Sequence, residues 1–168
     1  MIRFSQINRL NKAGYNPNYQ RHHLIPKQAG GESELTRVFQ ALGDQGFSLE
    51  DFEHNGILLP CCEKESMRTG RPLHRGPHPR YNEIVIERLF VIAKLGNRFD
   101  RFEQMLEFIQ FRLSLLQSSL RLGLSKRRFG KLHLNLRDPI RSMGGFDQMD
   151  LRIEQLQRDV GSQSLESK

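Results

Sequence analysis

The sequence predicts an α+β fold in which one short two-stranded hairpin sits inside a mainly helical domain. Two segments predict the hairpin. Residues 19–26 and 55–60 are short and extended in character, and each is stopped by a proline, which has no N–H to give a sheet ladder. The helices are predicted by apolar residues that recur at intervals of three and four along most of the remaining chain. At 168 residues the chain is long enough for one domain with a genuine core and short for two.

Residues 1–18 read as an amino-terminal arm, polar and closed by the turn-forming run Gly14-Tyr15-Asn16-Pro17-Asn18, so loose packing is expected there. The core of the domain is expected over residues 19–96. Its first strand carries Arg21-His22-His23. A helical insertion at 32–53 follows, in which Ser33 can cap a helix bearing Leu35, Val38, Phe39 and Leu42 and ending near Gly43 or Gly46. A further helical turn covers 49–53, and Asn55-Gly56 opens the second strand. From Cys61 to His78 the density of Gly, Pro, Arg and His reads as a loop rather than an element. Helix resumes at Pro79, a residue suited to a first helical position, and runs through Tyr81, Val85, Leu89 and Ile92 to the break at Gly96-Asn97.

Residues 97–160 form a carboxyl-terminal helical region. It is led by an amphipathic helix with Phe102, Met105, Leu106, Ile109, Leu113, Leu116 and Leu120 on one stripe, expected to fold back on the preceding helix as a helical hairpin. Beyond Gly123, Lys126-Arg127-Arg128 with Lys131, Arg137 and Arg141 make a basic stretch, either a solvated surface or a phosphate-contacting one. The polar residues 161–168 read as a disordered tail.

Composition narrows the partner. Lys and Arg outnumber Asp and Glu by 26 to 19, a formal charge of +7 with a pI near 9.8, which attracts a polyanion at long range. Nucleic acid is the natural candidate, although a basic surface also serves solubility alone. The adjacent Cys61 and Cys62 are badly placed to bridge each other and belong to no C-x-x-C pair, which argues for a reducing compartment and against a zinc ribbon. Residues 1–14 lack the apolar stretch of a signal peptide, and no run approaches 18 apolar residues. The expectation is a cytoplasmic protein without a membrane span, or one delivered to a target cell without a cleavable signal.

Five of the six histidines fall in the first half of the chain, four of them in two tight groups, His22-His23 and His74-Arg75-Gly76-Pro77-His78. Imidazole is the commonest neutral metal ligand and titrates near neutrality, so grouped histidines point to a metal site, a general base, or both. Neighbours on a strand send their side chains to opposite faces, so His22 and His23 can take different work. The isolated His54 and His133 read as surface or satisfied core, and the two cysteines as small buried apolar residues.

Three blocks in order, Arg21-His22-His23-Leu24-Ile25-Pro26, Asn55-Gly56-Ile57-Leu58-Leu59-Pro60 and His74-Arg75-Gly76-Pro77-His78-Pro79-Arg80-Tyr81-Asn82, resemble the HNH and ENDO VII superfamily. More narrowly they resemble the AHH nuclease family found in bacterial toxin-like proteins, with Arg21 standing where the eponymous alanine would be. The resemblance spans Arg21 to about Leu89. It implies a ββα-metal finger, a short hairpin plus helix embedded in the helical domain, and a metal-dependent endonuclease acting on phosphodiester bonds. It further implies that His22 is a metal ligand, that His23 is the general base that deprotonates water, and that Asn55 holds the base in orientation. An inhibitory immunity protein is an implied partner.

The rest of the ligand set stays open between two pairs. His74 and His78 match by residue type but have Pro77 between them, so they would meet across a turn. His78 and Asn82 straddle a helix start and could share a face. Two or three imidazoles favour zinc, nickel or manganese as the one divalent metal ion, whereas one imidazole with oxygen ligands admits magnesium. Arg21, Arg75 and Arg80, with Lys126, Arg127 and Arg128, are the candidate phosphate contacts, to DNA in preference to RNA since no aromatic stacking platform is evident. The competing reading is a non-catalytic nucleic-acid-binding protein whose histidines hold a structural zinc in a closed four-ligand site.

Overall fold

The computed structural model describes residues 1–125, 132–135, 138, 146 and 148–166. The basic residues Lys126, Arg127, Arg128, Lys131, Arg137 and Arg141 therefore lie outside the described residues. In chain order the protein has strand β1 (Tyr19–His23), helices α1 (Ser33–Asp44) and α2 (Phe52–Asn55), strand β2 (Gly56–Pro60), and helices α3 (Glu63–Thr69), α4 (Pro79–Gly96), α5 (Phe102–Ser125) and α6 (Met149–Glu166). The architecture is α+β, with β1 and β2 paired antiparallel so that His22 lies opposite Ile57 and His23 opposite Gly56.

The strand ends at His23 rather than at Pro26, because Asn55 takes over from the ladder. Leu24 N–H donates to the Asn55 carbonyl at 2.8 Å and Ile25 N–H to its side-chain Oδ1 at 2.8 Å, while Asn55 Nδ2 returns a bond to Ile25 O at 3.0 Å. The next residue has to be glycine for a different reason. A Cβ on Gly56 would stand 2.2 Å from the Phe52 ring, well inside van der Waals contact.

The core is built on α5. Its residues Leu106, Ile109, Leu113, Leu116, Leu120 and Leu124 are buried, and they pack against α4 (Val85, Leu89, Ile92) and against α6 (Met149, Ile153, Leu156). The helical hairpin is present, and α6 makes a third helical layer of it. Phe102, expected on the buried stripe, sits in the exposed first turn. The other end of α4 reaches the hairpin, where Tyr81 is fully buried and its hydroxyl donates to Leu24 O at 2.8 Å. Burying a phenol needs such a partner.

Three expectations are corrected. Residues 63–69, read as loop, form α3: Glu63 and Glu65 sit in the first turn, where negative charge suits the helix dipole, and Gly70, at φ 68°, ends it. The glycines and prolines that suggested a loop are confined to residues 70–79. The amino-terminal arm is not loose at its start. Phe4 is buried, the Arg3 backbone makes an isolated antiparallel β-bridge with Asp51, and Phe52 N–H donates to Ile2 O at 2.7 Å. At the other end, α6 continues through Gly161 to Glu166, into the stretch read as a disordered tail.

Candidate metal centre and active site

His22 projects from β1 and is buried, with a relative exposure of 2%. His74 lies in the loop after α3, pinned by its own N–H to Pro60 O at 2.8 Å, and His78 caps the start of α4. The turn between the latter two is made by Gly76, whose φ of 76° belongs to the left-handed region that glycine enters freely. Pro77 is thus outside any helix, and Pro79 opens α4. The loop is fastened from behind, where Leu73 N–H donates to Asp138 Oδ2 at 3.1 Å and Asn135 Nδ2 to Leu73 O at 3.2 Å. The result is a cluster of three imidazoles in which one ring nitrogen from each lies within 4.8 Å of the others.

The protons of this cluster can be followed outward. His78 Nδ1–H donates to Asn82 Oδ1 at 3.0 Å, and Asn82 is itself oriented by giving its Nδ2–H to Gln28 Oε1 at 2.7 Å. His74 Nδ1–H donates to Gln20 Oε1 at 3.1 Å. With both Nδ1 atoms turned to amide oxygens, the two Nε2 atoms face one another at 3.3 Å. That leaves both Nε2 atoms aimed at one point, where neutral rings can ligate a cation. His22 Nε2 is buried with no hydrogen-bond partner among the described residues. Burial, followed by the nearness of His74 and His78, pushes His22 well below the ordinary histidine range, and burial with His78 brings His74 down to about 4. Both are therefore neutral at pH 7, the form that ligates metal. Converging imidazoles, His22 and His74 held neutral and His74 and His78 oriented from outside by amides, fit a divalent cation.

His23 has different neighbours. Its ring stacks on Phe4 with centroids 3.5 Å apart and planes 4° from parallel. Its Nε2 is buried 3.6 Å from Glu50 Oε1, an oxygen that also meets Lys27 Nζ at 2.8 Å. Burial lowers the His23 pKa, and the Glu50 carboxylate only partly opposes it. Asn55 does not bond this ring. Its amide goes to the backbone, donating to Ile25 O and to Leu49 O at 2.9 Å and accepting from Ile25 N–H, with Gln117 Nε2 3.3 Å from its oxygen. It holds the chain after His23, not the imidazole.

The remaining expected residues separate. Asn82 bonds His78 and so stands behind the cluster. Arg75 and Arg80 are exposed beside it and line a cleft of about 750 Å³ with Pro77, Leu134 and Phe146; Arg80 also pairs with Glu83 at 3.1 Å. Arg21 donates to Phe4 O at 2.6 Å, which ties the amino terminus to β1. His54 is exposed and bonded to Asp51 Oδ2 at 2.7 Å. The free Cys61 thiol, raised by burial and by Cys62, donates to Pro17 O at 3.2 Å, away from the cluster. Sequence reasoning missed Phe4, Gln20, Gln28, Glu50 and Gln117. Only Gln20 had a local signal, since residues 20 and 22 share one face of a strand.

A hairpin and a following helix that bring three imidazoles together make this a ββα-metal fold. The chain belongs to the AHH family, a nuclease family of the HNH/ENDO VII superfamily with conserved AHH, whose model matches residues 4–108. It is a nuclease with a nucleic-acid substrate, and the family and the histidine cluster together point to a divalent metal. Searches of curated proteins and of solved structures return no match. Among the described residues no helix is long and apolar enough to cross a membrane.

Proposed function

We propose that the protein is an endonuclease that hydrolyses phosphodiester bonds in DNA, with one divalent cation held by His22, His74 and His78 and with His23 as general base. The observation that carries this reading is the convergence of ring nitrogens from His22, His74 and His78 within 4.8 Å of one another, with His22 Nε2 orphaned and a fourth histidine next in sequence kept out of the cluster. Bound there, the cation supplies Lewis-acid stabilisation of the charge that develops on the phosphate, several kcal/mol as a general rule. Three imidazoles favour zinc, nickel or manganese, and three protein ligands among the described residues leave a coordination position open, as catalysis needs and a structural zinc does not.

The chain's own residues do the rest. His23 is neutral at pH 7, and with Nε2 turned toward Glu50 its Nδ1 is the nitrogen left to accept a proton from water. Arg75 and Arg80 present guanidinium groups beside the cluster, where they grip the phosphates of a passing strand. The exposed side chains flanking the cluster, Gln20, Arg75 and Arg80, are polar and cationic rather than aromatic, which favours DNA over stacked single-stranded RNA.

The test is nicking of supercoiled plasmid with added zinc, nickel, manganese or magnesium, the His23→Ala variant run in parallel with an RNA substrate. Loss of a general base is worth roughly 10²- to 10⁴-fold, so His23→Ala should lose at least about 100-fold in rate while binding metal as tightly as the parent. Retained nicking would remove His23 from the mechanism. Tight zinc without turnover on DNA or RNA would turn the assignment to a structural-zinc binding protein.

A further inference from the structure

We propose that the amino-terminal segment forms a wall of the active site, in which Phe4 is a positioning residue that fixes the plane of the His23 imidazole. The inference rests on the reading of His23 as general base. Rotation of an imidazole about its Cβ–Cγ bond is soft and broad, so a histidine poised to take a proton needs something to hold its plane. The strand cannot do it, because β1 ends at His23 and the backbone beyond is tied to Asn55. What flanks the ring is Phe4 on one face, parallel to within 4° at 3.5 Å, and Glu50 at its edge, 3.6 Å from Nε2.

Phe4 is itself held from three sides. Arg21 donates to its carbonyl at 2.6 Å, its N–H donates to Glu50 O at 3.3 Å, and its ring meets Phe52 edge-on with centroids 5.0 Å apart. Three pieces of chain distant in sequence, residues 2–4, 21–23 and 50–52, are thereby locked around one imidazole. Arg21 stands where the family carries the alanine of its motif, and its guanidinium is one of the ties between the segment and β1.

The experiment uses the full chain loaded with the metal that supports cleavage, as Phe4→Leu, Phe4→Tyr and Arg21→Ala. Steady-state cleavage of a labelled duplex gives kcat and KM, titration gives metal affinity, and the His23 ring-proton shifts are read by NMR in the metal-free protein. A misplaced catalytic group can cost about 100-fold, so Phe4→Leu should lower kcat by roughly 10- to 100-fold with KM and metal affinity within about twofold. Phe4→Tyr, which keeps the aromatic face, should recover most of kcat. Arg21→Ala touches only the anchor and should lower kcat by several-fold; if Arg21 instead grips phosphate, the substitution raises KM, and that result counts against the proposal. The His23 ring protons should be shifted upfield by the Phe4 ring current and move back in Phe4→Leu. Full kcat in Phe4→Leu once that shift is lost overturns the positioning role, and so does the absence of the shift in the parent. Unchanged cleavage in His23→Ala, alongside an upfield His23 shift in the parent, sinks the general-base reading while leaving the stack in place, so the two failures are distinguishable.

Discussion

Replacing Asn82 by alanine should weaken metal binding without removing a ligand. Asn82 Oδ1 accepts the His78 Nδ1–H at 3.0 Å, and Gln28 holds the amide in that orientation from 2.7 Å. Outer hydrogen bonds of this kind fix the tautomer and the ring angle of a ligating histidine and are worth roughly 10- to 100-fold in affinity, about 1.4–2.7 kcal/mol. The lower end is expected here, because the acceptor is an uncharged amide and the His78 ring also packs edge-on to Tyr81, with centroids 5.8 Å apart. Asn82→Asp keeps an acceptor and adds negative charge, and should bind metal at least as tightly as the parent. Calorimetric titration with zinc measures the affinities. The visible spectrum of the cobalt-loaded protein reports the ligand set: if Asn82 stands behind His78, Asn82→Ala keeps the parent's spectrum at lower affinity. A changed spectrum would make Asn82 a direct ligand. Affinity within twofold of the parent would refute the view that the amide orients His78.

Asn55→Ala leaves Ile25 N–H, Ile25 O and Leu49 O without their partners, and buried groups so stranded cost about 1–3 kcal/mol each, so a loss above roughly 3 kcal/mol is expected in urea unfolding. An unchanged midpoint with lost cleavage would instead make Asn55 a direct participant in the chemistry. Tyr81→Phe strands Leu24 O and should cost about 1 kcal/mol in the same assay, with no change in metal ligands. Metal-free protein should lose stability as pH falls from about 6.5 toward about 4. The folded-state pKa values of His22 and His74 are depressed, so the unfolded chain binds protons first and acid favours unfolding. Each histidine contributes a slope of up to about 1.4 kcal/mol per pH unit, and His74→Asn should flatten the curve by its share. Equal slopes in parent and variant would show that His74 is not held neutral.

What the sequence disclosed and what it withheld divide along the reach of the interaction. The α5 stripe and the two proline-stopped strands were legible because their determinants are periodic and local. The histidine groups were legible by type, and the choice between the His74–His78 and His78–Asn82 pairs was not, since it depends on a glycine at φ 76° turning the loop back on itself. In the folded protein Asn82 bonds His78 rather than joining the cluster, a part that an i, i+4 spacing cannot tell apart from ligation. Helix α3 was hidden by averaging: Gly and Pro crowd residues 70–79, and reading 61–78 as one unit spread their signal over seven helical residues that contain neither. The tail was misread because its composition is polar, while α6 is anchored upstream by Met149, Ile153 and Leu156 on α5 and carries Gly161 along at a cost of about 1 kcal/mol.

The residues that support the histidines and Asn55 lie farthest from any local rule. Gln20 meets His74 and Gln28 meets Asn82 across 54 positions each, Gln117 reaches Asn55 across 62, and Phe4 comes to His23 from the arm that composition marked as loose. None of these four belongs to the three motif blocks that carry the family resemblance. A protein ligand for such a cation is an imidazole, a carboxylate or a thiolate, so chemistry restricts its type and leaves a trace in the sequence. An orienting partner need only place an acceptor or a flat face at the right spot, which an amide, a carbonyl or an aromatic ring can each do. The same freedom predicts where relatives of this chain can differ without losing the centre: Gln20, Gln28 and Phe4 can be exchanged for groups of equivalent reach.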